Sequence, residues 1–549
     1  MVFATYEEQR ESYLSFLQGR KNSQKSGRDE DIRTTPLFSL AVKHEVDPIS
    51  SLSRQVSGTD EIALTDGKTK QLLPQYALLG FNIADDSATN HAQDELGTYR
   101  DEAHNRGKTT EPTSSSENPT SSQDENCLIG FQEPILMNTR APNSAFICGS
   151  QGSGKSYTLS CMLENCLLPD DTIGALSNPV AGLVFHYDVD AAGSAAEAAS
   201  LCSRGINVRV LVSESNKTLL TEKYTRLAES GDRLKVQELR LRSGHLTVER
   251  ILKLMSCSEQ EVKVPLYIVS LQRILREMAK ETQSGEFDYL DFRQRIVDAG
   301  FTKDQQNPLD LRCDLLESFL NLNPGSEPDP FELQPGTLTI IDLSDPFVDS
   351  ATACLLFDIC LSLSKQKCLK SGTGLIVALD EAHKFMNDSP AAMTFTNRLL
   401  TTIREQRHNA TRVVIATQEP TISEKLLDLC SISIVHRFSS PTWFTTIKGH
   451  LGGASVLLED KQQQAAMFEQ IVNLQVGESL VFAPSSYLCM KHGKAEKLGS
   501  GMMKMKTRLR LGVDSGRSLL TDQQEGQDAR TGSVAGAATA LDGLSLNQA

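Results

Sequence analysis

From Cys127 onward, short apolar runs alternate with stretches of helical period, the pattern of an α/β fold built on a mostly parallel sheet. The strand candidates are Ala145–Cys148, Gly182–Tyr187, Val208–Val212, Leu338–Leu343, Leu375–Leu379, Arg412–Ala416, Ile432–His436 and Ser479–Ala483. Several are unbroken aliphatic runs, as strands covered on both faces are. Between the third and fourth, about 214–335, the pattern is mainly helical: Ile268, Leu271, Ile274, Leu275 and Met278 fall at helical spacing. This section reads as an insertion packed on one side of the sheet. Residues 127–512 thus form one domain.

Residues 1–83 are mixed and read as partly structured. Tyr6, Tyr13, Phe16 and Leu17 line one side of a short helix, and Leu72–Phe81 is an apolar island. Two readings stand: packing on the outside of the main domain, or a tethered arm that docks a protein partner. Residues 84–126 are acidic and rich in Ser and Thr, and 513–549 are rich in Gly, Ser, Ala and Gln. Neither holds enough large apolar residues to offset chain entropy, so both are expected to be disordered.

Composition narrows the class. The chain has 549 residues, 39% of them hydrophobic, enough for one large core or two ordinary ones. A net charge of −15 argues against a protein that coats nucleic acid over its whole surface. No run approaches the ~20 apolar residues of a membrane span. The opening MVFATYEEQRES has no signal-peptide pattern, so an intracellular protein, cytoplasmic or nuclear, is expected. The 12 cysteines contain no Cys-x-x-Cys pair, which speaks against zinc ribbons. Cys148, Cys354, Cys360 and Cys430, in apolar runs, read as buried reduced thiols.

The strongest chemical signal follows the first strand. Gly149-Ser-Gln-Gly-Ser-Gly-Lys155-Ser156 matches G-x-x-x-x-G-K-[ST], with a strand before it and a helix after it. Glycines let such a loop curl so that backbone N–H groups face an anion, and the helix adds its positive end. Lys155 reaches the β- and γ-phosphates, and the Ser156 hydroxyl suits Mg²⁺. The nucleotide-binding set is Gly149, Ser150, Gln151, Gly152, Ser153, Gly154, Lys155, Ser156 and Tyr157.

A second signal ends the strand Leu375–Leu379, where Asp380 and Glu381 stand at its carboxyl end. Ligands bind at that edge of open α/β sheets. Asp380 is the second metal residue beside Ser156, and Glu381 the group that orients or deprotonates the attacking water. His383 either links this site to its neighbours or faces solvent. The strand Arg412–Ala416 leads to Gln418, placed to sense the γ-phosphate or the water. Arg407 is the leading candidate for a cation donated to the transferring phosphoryl group, with Arg404 and Arg437 behind it.

Taken together, these motifs resemble the HerA–FtsK class of P-loop ATPases, which includes conjugative coupling and type IV secretion ATPases. The resemblance covers about 128–512 and rests on the P-loop, LTIIDLSD (338–345), the acid pair, ATQ (416–418), CSISIVHRF (430–438) and NLQVGESLVF (473–482). It implies a RecA-like core, ATP as the nucleotide, Gln418 as a catalytic sensor, and a hexameric ring that pumps DNA or protein with nucleotide held between subunits. The family's arginine finger, in a Gly-Arg-x-x-Gly segment, maps to Arg407, with Gln406 and Ala410 in place of the two glycines. The letters DEAH also occur in helicases, but there the box lies much nearer the P-loop, and no later Gln-x-x-Gly-Arg-x-Gly-Arg segment is present.

Lys504, Lys506, Arg508 and Arg510 alternate, so on a strand they share one face. With Lys491, Lys494 and Lys497 they make 491–510 a candidate nucleic-acid contact, or else an edge strand guarded by charge. The sequence therefore points to a Mg²⁺-dependent ATPase with two candidate roles: an oligomeric motor acting on nucleic acid or polypeptide, or a slow ATP-dependent switch that recruits partners through its N-terminal region.

Overall fold

The structure, a computed structural model, describes residues 21–48, 71–83, 132–189, 195–227, 233–254, 266–281, 287–321, 328–450 and 461–512. The expectations for Tyr6, Tyr13, Phe16, Leu17 and for 84–126 and 513–549 lie outside these residues.

One 16-stranded mixed sheet organises the chain. In chain order its strands are β1 (Leu37–Ser39), β2 (Tyr76–Asn82), β3 (Pro134–Asn138), β4 (Ser144–Cys148), β5 (Gly174–Ala175), β6 (Ala181–His186), β7 (Asn207–Val212), β8 (Leu234–Glu238), β9 (Thr337–Asp342), β10 (Leu375–Leu379), β11 (Thr411–Thr417), β12 (Ile432–His436), β13 (Glu478–Phe482), β14 (Tyr487–Lys491), β15 (Lys494–Lys497) and β16 (Met503–Thr507). The run β12-β4-β11-β10-β6-β9-β7-β8 is parallel throughout. Beyond β12, a flank of β13, β16, β2, β3, β1, β14 and β15 is antiparallel except for the β1–β14 pair. The two described parts of 1–83 are thus hydrogen-bonded into the sheet: β2 pairs with β3 and β16, and β1 with β3 and β14.

The parallel strands are buried on both faces because successive side chains point to opposite layers. Phe146, Leu183 and Phe185 enter one core, while Ala145, Ile147 and Val184 enter the other. The second layer is covered by α1 (Lys155–Leu167), which follows β4 directly. The first is covered by α2 (Ser350–Ser371) and α3 (Pro390–Arg404), whose Phe357 and Phe395 stack with Phe185 and Phe385. Asp349 caps α2 by accepting from Thr352 N–H at 2.8 Å, and Gly372 ends it in the left-handed region at φ 69°. A short helix, α4 (Gln406–Asn409), then leads into β11.

The insertion is helical over Val248–Leu254, Leu266–Glu281, Tyr289–Asp298 and Lys303–Ser318, and Ile268, Leu271, Ile274, Leu275 and Met278 are buried as their spacing requires. It also contributes β8, which extends the parallel sheet beside β7. Nine described cysteines are free thiols, Cys148, Cys354, Cys360 and Cys430 among them. Cys489, which the expectation of reduced thiols did not cover, is disulfide-bonded. No described helix is long and apolar enough to cross a membrane.

Candidate functional site

The parallel run carries its chemistry at one edge. The carboxyl ends of β4, β10, β11 and β12 deliver Gly149, Asp380, Gln418 and Arg437 to the same rim. The 149–156 loop is drawn tight there. Gly149 has φ 154°, and a Cβ on it would lie 2.7 Å from His436 Cβ. Gly154 has φ 107° and is in close contact with Gly477, where a Cβ would sit 3.1 Å from the Gly477 Cα and N. Only glycine meets both demands at these two positions. Ser150 donates its N–H and its hydroxyl to Arg437 O at 2.8 and 2.9 Å, which ties the loop to the end of β12. Ser153 Oγ donates to Ser150 O at 2.7 Å, while Gln151 and Gly152 stand exposed at the tip.

Lys155 is 4% exposed and donates from Nζ to Ser150 O at 3.0 Å. Burial lowers its pKa, opposed by Glu381 and Asp380. Ser156 Oγ donates to Asp380 Oδ1 at 3.2 Å, which joins the two expected metal residues across the β4–β10 gap. Burial raises the Asp380 carboxyl above its ordinary value, while His186, 4.0 Å from Oδ2, pulls it down. Glu381 has φ 49° and ψ 44°, a left-handed conformation rare for a residue with a side chain. Its two oxygens each accept from Gln418 Nε2 at 3.2 Å, and His383 Nδ1 lies 3.3 Å from Oε2. His383 is therefore beside the acid rather than in open solvent. Burial lowers its pKa, and Glu381 and Glu419 oppose that shift.

Arg407 is not at this rim. It lies on α4, exposed, before the first residue of β11, whereas Gln418 follows the last. A seven-residue strand separates them by roughly 20 Å, so Arg407 sits at the opposite sheet edge from its own P-loop. Arg404, at the end of α3, shares that edge, and Arg437 is the one of the three beside the loop.

Behind the loop stands a residue that sequence reasoning passed over. His436 Nδ1 is 2.9 Å from Glu478 O, and Nε2 is 3.1 Å from Thr158 Oγ1, which lies 2.9 Å from Thr507 Oγ1. A carbonyl can only accept, so Nδ1 carries the proton, Thr158 donates to Nε2 and Thr507 donates to Thr158. Complete burial pushes the His436 pKa down to about 4. The signal was present in Val-His-Arg-Phe at the end of an apolar strand, but nothing local marked the histidine as a strut under the phosphate loop.

The basic stretch is corrected. β16 lies between β13 and β2, so it is an interior strand rather than an edge, and while Lys504 and Lys506 share its half-buried face, Arg508 is buried. Lys504 pairs with Glu478 at 3.2 Å and Lys506 donates to Val476 O at 2.7 Å. Arg508 is 4% exposed: it pairs with the fully buried Glu164 at 2.8 Å and donates to Leu78 O and Asn165 Oδ1. Arg510 stacks over Tyr157 and reaches Glu197 at 3.5 Å. Both arginines fasten the chain to α1 because the backbone leaves β16 at Thr507 and turns across that helix.

Among solved structures, the chain resembles VirB4 of Thermoanaerobacter pseudethanolicus at 13% identity and a TM-score of 0.41, over 68% of this chain and 91% of that one. It also resembles the genome packaging NTPase B204 from Sulfolobus turreted icosahedral virus 2 in complex with ATP-gammaS, at 11% identity and a TM-score of 0.26, over 68% of this chain and 100% of that one. B204, the DNA-packaging ATPase from Sulfolobus Turreted Icosahedral Virus, matches at 10% identity and a TM-score of 0.25, over 62% and 93%. No protein-family model and no curated protein matches the sequence.

Proposed function

We propose that the chain is a Mg²⁺-dependent ATPase that works as an oligomeric motor on nucleic acid or polypeptide, with each site completed by a neighbouring copy. The observation that supports hydrolysis is the meeting of Lys155, Ser156, Asp380, Glu381 and Gln418 at one rim, linked by the Ser156–Asp380 and Gln418–Glu381 contacts. A hydroxyl and a carboxylate side by side are the hard oxygen pair that suits Mg²⁺, which takes few protein ligands beside phosphate oxygens. Ser156 and Asp380 would hold the ion, and when bound it neutralises charge on the phosphates.

The remaining work falls to the chain's own side chains. The glycine loop and the start of α1 bind the phosphates through backbone N–H groups. Lys155, its charge favoured by Asp380 and Glu381, stabilises charge that builds on the γ-phosphate. Glu381 accepts the proton of the attacking water, and Gln418 holds the carboxylate from both oxygens and orients the water. Arg407, at the far sheet edge, cannot serve its own site, which supports its action in a neighbour's.

The second reading, a slow ATP-dependent switch that recruits partners, is favoured by the engagement of both Glu381 oxygens by Gln418 and by Gln406 and Ala410 in the finger segment. Phosphate release from Mg²⁺–ATP tests both. Glu381→Gln should keep ATP binding and lose about 100-fold or more in turnover; turnover at the wild-type rate contradicts the assignment. A motor accelerates when DNA, RNA or an unfolded polypeptide is added, whereas a switch ignores all three.

A further inference from the structure

A nucleotide held by this loop has a direction. Asp380, Glu381 and Gln418 stand on the β11–β10 side of β4, and the metal and water-activating groups mark the γ end. The base therefore leaves on the other side of β4, toward β12, β13 and β16. That side presents uncovered apolar side chains: Val476 is 59% and Leu509 85% exposed.

Backbone contacts tie both to the phosphate loop. Gly477 N–H donates to Ser153 O at 3.2 Å, and Thr507 N–H donates to Gly477 O at 3.0 Å. Val476 precedes that glycine and Leu509 follows that threonine by two residues. One residue on, Arg510 N–H donates to the Tyr157 hydroxyl at 2.7 Å, and its guanidinium lies 4.6 Å from the Tyr157 ring centroid. Tyr157 itself follows Ser156 on the first turn of α1. The Gly154–Gly477 contact leaves no side chain between the loop and the 476–477 turn.

We propose that Val476, Leu509 and the Tyr157 ring, braced by the buried Arg510, form the wall on which the nucleotide base rests, so that residues 503–512 belong to the nucleotide site. The inference rests on the ATPase reading above and adds where the base goes. A planar heterocycle suits this surface: its faces gain from contact with the apolar side chains and with the half-buried Tyr157 ring, which the buried Arg510 guanidinium braces. Inorganic polyphosphate gains nothing there.

That contrast supplies the test. Calorimetric titration of the full chain with Mg²⁺–ATP and with Mg²⁺–tripolyphosphate separates the base wall from the phosphate grip. The double variant Val476→Ser, Leu509→Ser alters only exposed side chains, so its melting temperature should match the wild type. It should bind ATP about tenfold more weakly and tripolyphosphate within about twofold of the wild type. Equal weakening of both ligands, or no change in ATP affinity, overturns the base wall. Lys155→Ala should weaken both ligands. A wild type that binds neither ligand sinks the nucleotide reading itself, and the wall with it.

Discussion

Glu381 and Ala410 share an unusual backbone state for opposite reasons. Both sit in the left-handed region, at φ 49° and φ 47°, where a side chain costs about 1–2 kcal/mol. At Glu381 the strain accompanies a carboxylate aimed at Gln418 and His383, beside the buried Asp380. At Ala410 no such group is gained. Ala410 closes α4 where the resembled family carries glycine, so Ala410→Gly should relieve the turn. After the extra chain entropy of glycine, we expect a gain of up to about 1 kcal/mol, read as a higher melting temperature. A lower melting temperature would show that the methyl group packs.

His436 makes a pH prediction at the same scale. Its folded pKa, about 4, lies below the ordinary 6.5, so between those values the unfolded chain binds more protons. Its contribution is complete above about pH 6.5 and is lost as pH falls toward 4. Stability should therefore decline over that window, by about 3 kcal/mol at most from this residue. Thermal melts from pH 7 to 4.5 should slope less steeply in His436→Gln than in the wild type; an unchanged slope removes His436 as the cause.

Among the elements, legibility followed locality. The eight strands expected from apolar runs all occur, each within one residue at either end, because Leu375–Leu379 or Ile432–His436 are buried on both faces and need no partner to be recognised. The acid pair and the P-loop were legible because each is a short contiguous motif. The antiparallel flank was not. β16, Met-Lys-Met-Lys-Thr, alternates buried and half-buried positions, and its neighbours β13 and β2 come from 478–482 and 76–82. No local pattern announces a pairing across more than 400 residues. A long separation in the chain also hid the Arg508–Glu164 pair, which buries a cation that alternation alone places beside Lys504 and Lys506. Arg508→Met leaves a fully buried carboxylate without its cation, and should cost about 3–5 kcal/mol. Adding Glu164→Leu should recover most of that loss. A double-mutant cycle on denaturation midpoints measures it, and additive losses would show that the two side chains do not interact.

For the whole molecule, the geometry splits the proposed catalytic set. Lys155, Ser156, Asp380, Glu381 and Gln418 meet at one sheet edge, and Arg407 stands at the other. In the proposed head-to-tail ring, a chain arranged in this way would turn its nucleotide edge to one neighbour and Arg407 to the other. The central claim, ATP hydrolysis at a site that a second copy completes, is tested most directly by mixing two inactive variants. Lys155→Ala keeps Arg407 and loses the phosphate grip; Arg407→Ala keeps the grip and loses the finger. Phosphate release from Mg²⁺–ATP is the measurement, on each variant alone and on an equimolar mixture. We expect little release from either alone and clear recovery in the mixture, where an intact Arg407 faces an intact P-loop. An active Arg407→Ala variant, or a mixture as silent as its parts, would contradict the shared site.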